Sequence, residues 1–156
     1  MWLFFHRLKV ITICDSQSWQ KDDRRFLLRQ LKKIYHHIPN APPKAYIEIL
    51  FTNDKHMQQL QKKFLHKNQS TNVLAFPHDP DNPADNFLGS IALGYGVIKK
   101  QSQQQKKIFH HHLLHLGLHG LLHLFHFTHK KQHEAKKMER LEILLLANIG
   151  INNPYQ

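Results

Sequence analysis

The spacing of apolar residues changes several times along this chain, and each change marks a predicted element. Lys9 to Cys14 (KVITIC) is β-branched and alternating, which predicts a strand. Asp15-Ser16-Gln17-Ser18 then offers helix N-caps, and Phe26, Leu27, Leu31, Ile34 and Tyr35 recur at helical spacing. Pro42-Pro43 breaks the chain. Ala45 to Thr52 (AYIEILFT) alternates as a half-buried strand, and Asn53-Asp54 caps a helix over His56–His66 with Met57, Leu60 and Phe64 on one face. A short strand over Asn72–Phe76, a turn-rich loop over Pro77–Asn86 and a strand over Phe87–Leu93 follow. That loop concentrates acid in Asp79, Asp81 and Asp85. Gln101–Gln105 reads as a polar patch, Lys107 to about Phe125 as one apolar, histidine-rich helix, and His133 to Asn148 as a last helix with Met138, Leu141, Leu145 and Ile149 inward.

The order β-α-β-α-β-β-α-α lacks the strict alternation of a doubly wound sheet. It predicts an α+β fold: a single compact domain over 1–156, with a small mixed sheet packed against helices and the histidine-rich helix at its centre. A length of 156 residues suits one core.

Charge changes the picture. Twenty-two Lys and Arg against eleven Asp and Glu give a net charge of +11, and the basic residues recur as pairs from Arg24-Arg25 to Lys136-Lys137. Such a field attracts a polyanion, nucleic acid above all, although a merely solvated basic surface has the same composition. Cys14 is the only cysteine, which excludes an intrachain disulfide and a thiolate-built zinc site and favours a reducing, cytoplasmic setting. The N-terminal MWLFFHRLKVITI has neither a leading positive region nor a small-residue cleavage site, and reads as a strand. Its apolar runs are far shorter than the ~20 residues that span a bilayer.

Eight of fifteen histidines fall between residues 110 and 129. Imidazole is a common zinc ligand, and His119 and His123, four apart, share one helical face. His115 is on that face too, but eight residues before His123, or ~12 Å along the axis, so the three cannot hold one ion. His126 on a continued helix would be ~10 Å from His119. The third ligand must come from chain that leaves the helix and turns back. His129 is so placed, and H-x3-H-x5-H is the spacing of the long zincin motif. A zincin protease would need Glu where Gly120 stands. No Asp or Glu occurs between residues 86 and 133, so any carboxylate at the site comes from elsewhere. The bland alternative is a set of packed core histidines.

His119-Gly120-Leu121-Leu122-His123-Leu124, with His129 beyond, resembles the H-G-x-L-H-L-x-G-Y-D-H motif of the YbeY endoribonucleases. Glu134-Ala135, Met138-Glu139 and Glu142 are similar to that family's E-A-x-x-M-E-x-x-E, and Gly150 with Pro154-Tyr155 to its tail. Ser70 to Pro77 (STNVLAFP) looks like P-T-D/N-V-L-S-F-P, and Leu88-Gly89 like the start of L-G-D. The resemblance covers about residues 57 to 155. It implies one zinc per chain on His119, His123 and His129, and cleavage of single-stranded RNA in ribosomal RNA maturation and ribosome quality control, with ribosomal RNA or the small subunit as partner.

Four departures qualify this. Leu65 stands where the family has an Arg implied to meet phosphate, Ser90 replaces the Asp of L-G-D, and His126 and Thr128 replace the Gly and Asp of the histidine motif. Lys62, Lys63 and Lys67 are candidate RNA contacts that offer point charges without the guanidinium fork. His115 is a candidate proton shuttle, or a packed residue. Other readings remain open: an RNA- or ribosome-binding factor that keeps the metal site, or a metal store using His110 to His112.

Overall fold

The computed structural model describes residues 6–81 and 86–156. The apolar start of the N-terminal strand, before His6, and Asp85 of the acidic loop lie outside the described residues. Four strands, β1 (Arg7–Cys14), β2 (Lys44–Thr52), β3 (Val73–Pro77) and β4 (Phe87–Gly94), form one sheet in the order β1-β2-β4-β3. β1, β2 and β4 run parallel, and β3 is antiparallel to β4 at the edge, which makes the sheet mixed. The described helices are α1 (Lys21–Tyr35), α2 (Asp54–Leu65), α3 (Tyr95–Gln104), α4 (Phe109–Leu124) and α5 (Gln132–Ala147). The fold is the expected α+β arrangement around a central histidine-rich helix.

The period-two pattern of the strands sorts the core. Ile47, Ile49 and Phe51 of β2 and Ile91 and Leu93 of β4 point to one face, where they meet Leu27, Leu31 and Ile34 of α1 and Leu113, Leu118 and Leu121 of α4, all essentially buried. α2 lies on the other face, where Met57 packs with Leu74 and Ala92. α4 is buried almost all round, as a helix apolar on every side should be. α5 closes over it through Met138, Leu145 and Leu146, with Leu141 and Ile149 at the margin.

Three boundaries differ from the pattern-based expectation. Gln101–Gln105 is no isolated polar patch. Residues 101–104 close the added helix α3, whose fully buried residues are only Ile98 and Ser102, too short an apolar stripe to be visible beside its three glutamines. α4 then begins at Phe109 and not at Lys107, because Lys106 adopts φ 52° and separates the two helices. α1 starts after Gln20, whose backbone N–H donates to Asp23 at 3.1 Å. The anticipated cap Asp15 is engaged elsewhere, 2.8 Å from His56 Nδ1. Asn53 does cap α2, accepting the His56 N–H at 2.9 Å, while the Asp54 carboxylate accepts the Val97 N–H at the start of α3.

Gly89, opposite Pro77 in the β3–β4 pair, has φ 137°, and a Cβ there would sit 2.3 Å from the Phe76 carbonyl oxygen. That is backbone against backbone, with little room to give. Gly89→Ala should therefore lower stability by more than about 2 kcal/mol, read as a shifted denaturant midpoint. A change below about 0.5 kcal/mol would mean that the β3–β4 pairing is looser than described.

Candidate metal centre

His119 and His123 occupy the last two turns of α4, stacked by the four-residue repeat. The helix stops at Leu124. The Phe125 and His126 N–H groups return to the Leu122 and His123 carbonyls, and His126 takes φ 65°. This left-handed residue reverses the chain, as the αL residue that ends many helices does, and the turn carries His129 back to the helix face. The ligand-capable nitrogens of His119, His123 and His129 lie within 4.8 Å of one another. The first two come from the helix and the third from the turn.

The ring orientations are fixed from behind. His119 Nδ1 donates to Glu142 Oε1 at 2.6 Å, and His123 Nδ1 donates to the Phe127 carbonyl at 2.9 Å. Each neutral ring then carries its lone pair on Nε2, and these two Nε2 atoms face each other at 3.1 Å. Two lone pairs at that distance repel unless a cation lies between them. Nitrogens about 2.0–2.1 Å from one zinc in tetrahedral geometry stand about 3.3–3.4 Å apart, so the pair fits an ion with little movement. Burial, followed by the charges of His119 and His123's other neighbour His129, holds His123 at about 4, leaving its ring neutral and free to ligate near pH 7.

Glu142 is the carboxylate that this acid-free stretch lacked. It is fully buried on α5 and shared by three donors: His119, His115 Nε2 at 2.8 Å, and the Tyr155 hydroxyl. Burial alone would push its carboxyl up, but the hydrogen bonds of His115, His119 and Tyr155 outweigh this and hold it at about 2. Burial and the Glu142 carboxylate push the Tyr155 hydroxyl up, so it remains a donor. The pattern held a signal for Glu142, an acid four residues after Met138 on the inward face of α5. Nothing in the spacing pointed to the Phe127 carbonyl.

The three histidines open into a cleft of about 340 Å³ lined also by Leu65, Asn72, Ala75, Pro77 and Gly120. His115 is buried behind His119 and does not line it. A side chain at Gly120 would pack tightly, since a Cβ there would be 3.1 Å from Ile91 and 3.3 Å from Val73. Among the described residues this is the one histidine or acidic group with metal-holding geometry. His110 instead lies 2.7 Å from Asp23, and His112 3.1 Å from Gln101.

The family model described as Endoribonuclease YbeY matches residues 12–150. The chain belongs to the YbeY family. A relative from Bartonella henselae, named Endoribonuclease YbeY, is 34% identical over 95% of this chain and 97% of its own. One from Francisella tularensis subsp. tularensis, with the same name, is 37% identical over 81% of this chain and 78% of its own. A solution structure from Thermotoga maritima shares the fold with a TM-score of 0.60 at 14% identity, covering 95% of this chain and 99% of that one.

Within the YbeY frame the departures have defined places. Leu65 ends α2 on the rim of the cleft, about half exposed, and presents an apolar side chain there. Lys62, Lys63 and Lys67 are exposed around it but do not line the cleft, and Lys63 Nζ lies 5.2 Å from the Phe64 ring centre. Ser90 faces the opposite side of the sheet and donates to Glu48 at 3.0 Å. His126 accepts the left-handed conformation that favours Gly. Thr128 donates its hydroxyl to Glu134.

The network sets a pH dependence. Glu142 lies at about 2 in the folded protein against an ordinary 4.5, so its contribution to stability is complete above about 4.5 and drains as pH falls toward 2. Glu142→Gln should flatten that acid limb in urea midpoints of the metal-free protein. An acid limb as steep as in the unmodified protein would contradict the shared-carboxylate arrangement.

Proposed function

We propose that this chain is a zinc-dependent endoribonuclease that cuts single-stranded RNA in ribosomal RNA maturation and ribosome quality control, acting in the cytoplasm. The observation that carries the reading is the cluster of three imidazoles in a cleft, two with their Nδ1 protons engaged behind, in a family whose members are named as endoribonucleases. His119, His123 and His129 would hold one ion through their ring nitrogens. A bound zinc supplies Lewis-acid charge for a phosphoryl oxygen and acidifies water near neutral pH.

The chain's own residues do the rest. Glu142 and the Phe127 carbonyl keep the two helix imidazoles in the ligating tautomer. His115 and Tyr155 hold Glu142, so His115 acts on the cleft through that carboxylate as a positioning residue. The net charge of +11, with Lys62, Lys63 and Lys67 beside the cleft rim, draws and retains the RNA backbone, and binding weakens steeply with salt. Ribosomal RNA or the small ribosomal subunit is the partner that this chemistry and the family suggest.

One observation favours a second reading, in which the chain is an RNA- or ribosome-binding factor with an inherited metal site. Leu65 lines the cleft where a guanidinium would clamp a phosphate and steady developing charge.

Two variants decide between them. His123→Ala should lose bound zinc and lower cleavage of a labelled single-stranded RNA by more than about 100-fold together. Undiminished zinc-dependent cleavage in that variant would remove the site assignment. Leu65→Arg should raise cleavage by about tenfold in an active enzyme. Cleavage that appears only in Leu65→Arg would favour the binding factor.

A further inference from the structure

The turn that carries His129 has a second side. There, a groove of about 620 Å³ is lined by Phe125 and Phe127 of the turn, by Lys137, Arg140 and Leu144 of α5, and by Asn40. The groove shares no lining residue with the metal cleft, but the 125–129 turn walls both: His129 lines the cleft, and Phe125 and Phe127 line the groove. The Phe127 carbonyl also accepts the His123 Nδ1 proton, so the two sites are one hydrogen bond apart.

The groove joins aromatic surface to positive charge. Phe125 and Phe127 are half-buried, Lys137 and Arg140 are exposed, and Leu144 is 59% exposed. Lys137 Nζ stands 6.0 Å from the Phe127 ring centre. No carboxylate is among its described lining residues. A second copy of this chain is a poor occupant, because a net charge of +11 repels its like. A purely apolar ligand leaves Lys137 and Arg140 without a counter-charge. A single RNA strand answers both features, with bases that have π-faces for the rings and phosphates for the two cations.

We propose that this groove is a second nucleotide subsite. A base lies against Phe125 and Phe127 while Lys137 and Arg140 hold the adjoining phosphates, so a strand that crosses the metal cleft continues over the 125–129 turn. The inference rests on the RNA reading above for its polymer and adds where the strand runs. It requires RNA longer than the cleft alone to bind more tightly.

The test is fluorescence anisotropy on the zinc-loaded protein, with fluorescein-labelled 2′-O-methyl oligouridines that resist cleavage, one short and one several times longer. The unmodified protein should favour the longer probe. Lys137→Gln/Arg140→Gln, at exposed positions, should weaken binding of that probe by about tenfold and reduce the slope of log affinity against log salt by about 1.4, at about 0.7 per lost phosphate contact. Phe127→Leu should cost about tenfold with no change in slope. Longer-probe affinity and slope in the folded double variant equal to those of the unmodified protein would overturn the proposal. So would a dimer in sedimentation that the double variant disperses, because the groove would then belong to a second copy. Binding without cleavage of unmodified RNA would refute the nuclease reading and leave this subsite standing. Cleavage with unaltered binding in the double variant would do the reverse.

Discussion

A single carboxylate ties the functional half of this molecule together. Glu142 is buried on α5, takes hydrogen bonds from His115 and His119 of α4, and takes a third from Tyr155 of the C-terminal tail. A buried charge without partners is strongly destabilising, about 3–5 kcal/mol when one partner of such a pair is removed. The three donors offset that cost and tie α4 and the tail to α5, beside the apolar packing of Met138, Leu145 and Leu146. The same contact sets the His119 tautomer, so one interaction governs both packing and the chemistry that the imidazole can perform.

The second constraint is steric. α4 can lie close to the sheet because Gly120 presents no side chain to Ile91 and Val73. That approach places His119 and His123 beside the edge strand β3, so the cleft has a helix on one side and strand residues Val73, Leu74 and Ala75 on the other. The apolar Leu65 on the rim adds no charge to this cleft.

Much of this was legible in the residues. The four-residue spacing of His119 and His123, the ~12 Å that excludes His115, and the need for a turn before His129 follow from helix geometry alone. β2 was visible because alternate residues from Ala45 to Phe51 are buried and period two survives, whereas β4, buried on both faces from Ile91 to Gly94, shows as a short apolar run. α3 was not, because a ten-residue helix that buries only Ile98 and Ser102 leaves almost no periodic trace. The break at Lys106 was hidden for another reason, since φ 52° in a lysine is a tertiary outcome with no local signature. Glu142 was recognisable by its place in the family motif, but its pairing with His115 and His119 depends on how α5 crosses α4, which spacing within one helix does not encode. The aromatic and basic groove behind the turn joins residues from three separate parts of the chain and has no pattern at all.

A shared ion on the three imidazoles is the centre of the proposed chemistry. X-ray absorption at the zinc edge on the purified protein tests this most directly. The predicted result is one zinc per chain with three histidine nitrogens at about 2.0–2.1 Å and one lighter-atom ligand completing the shell. A sulfur ligand from Cys14, a shell without three imidazoles, or no stoichiometric zinc after loading would contradict it.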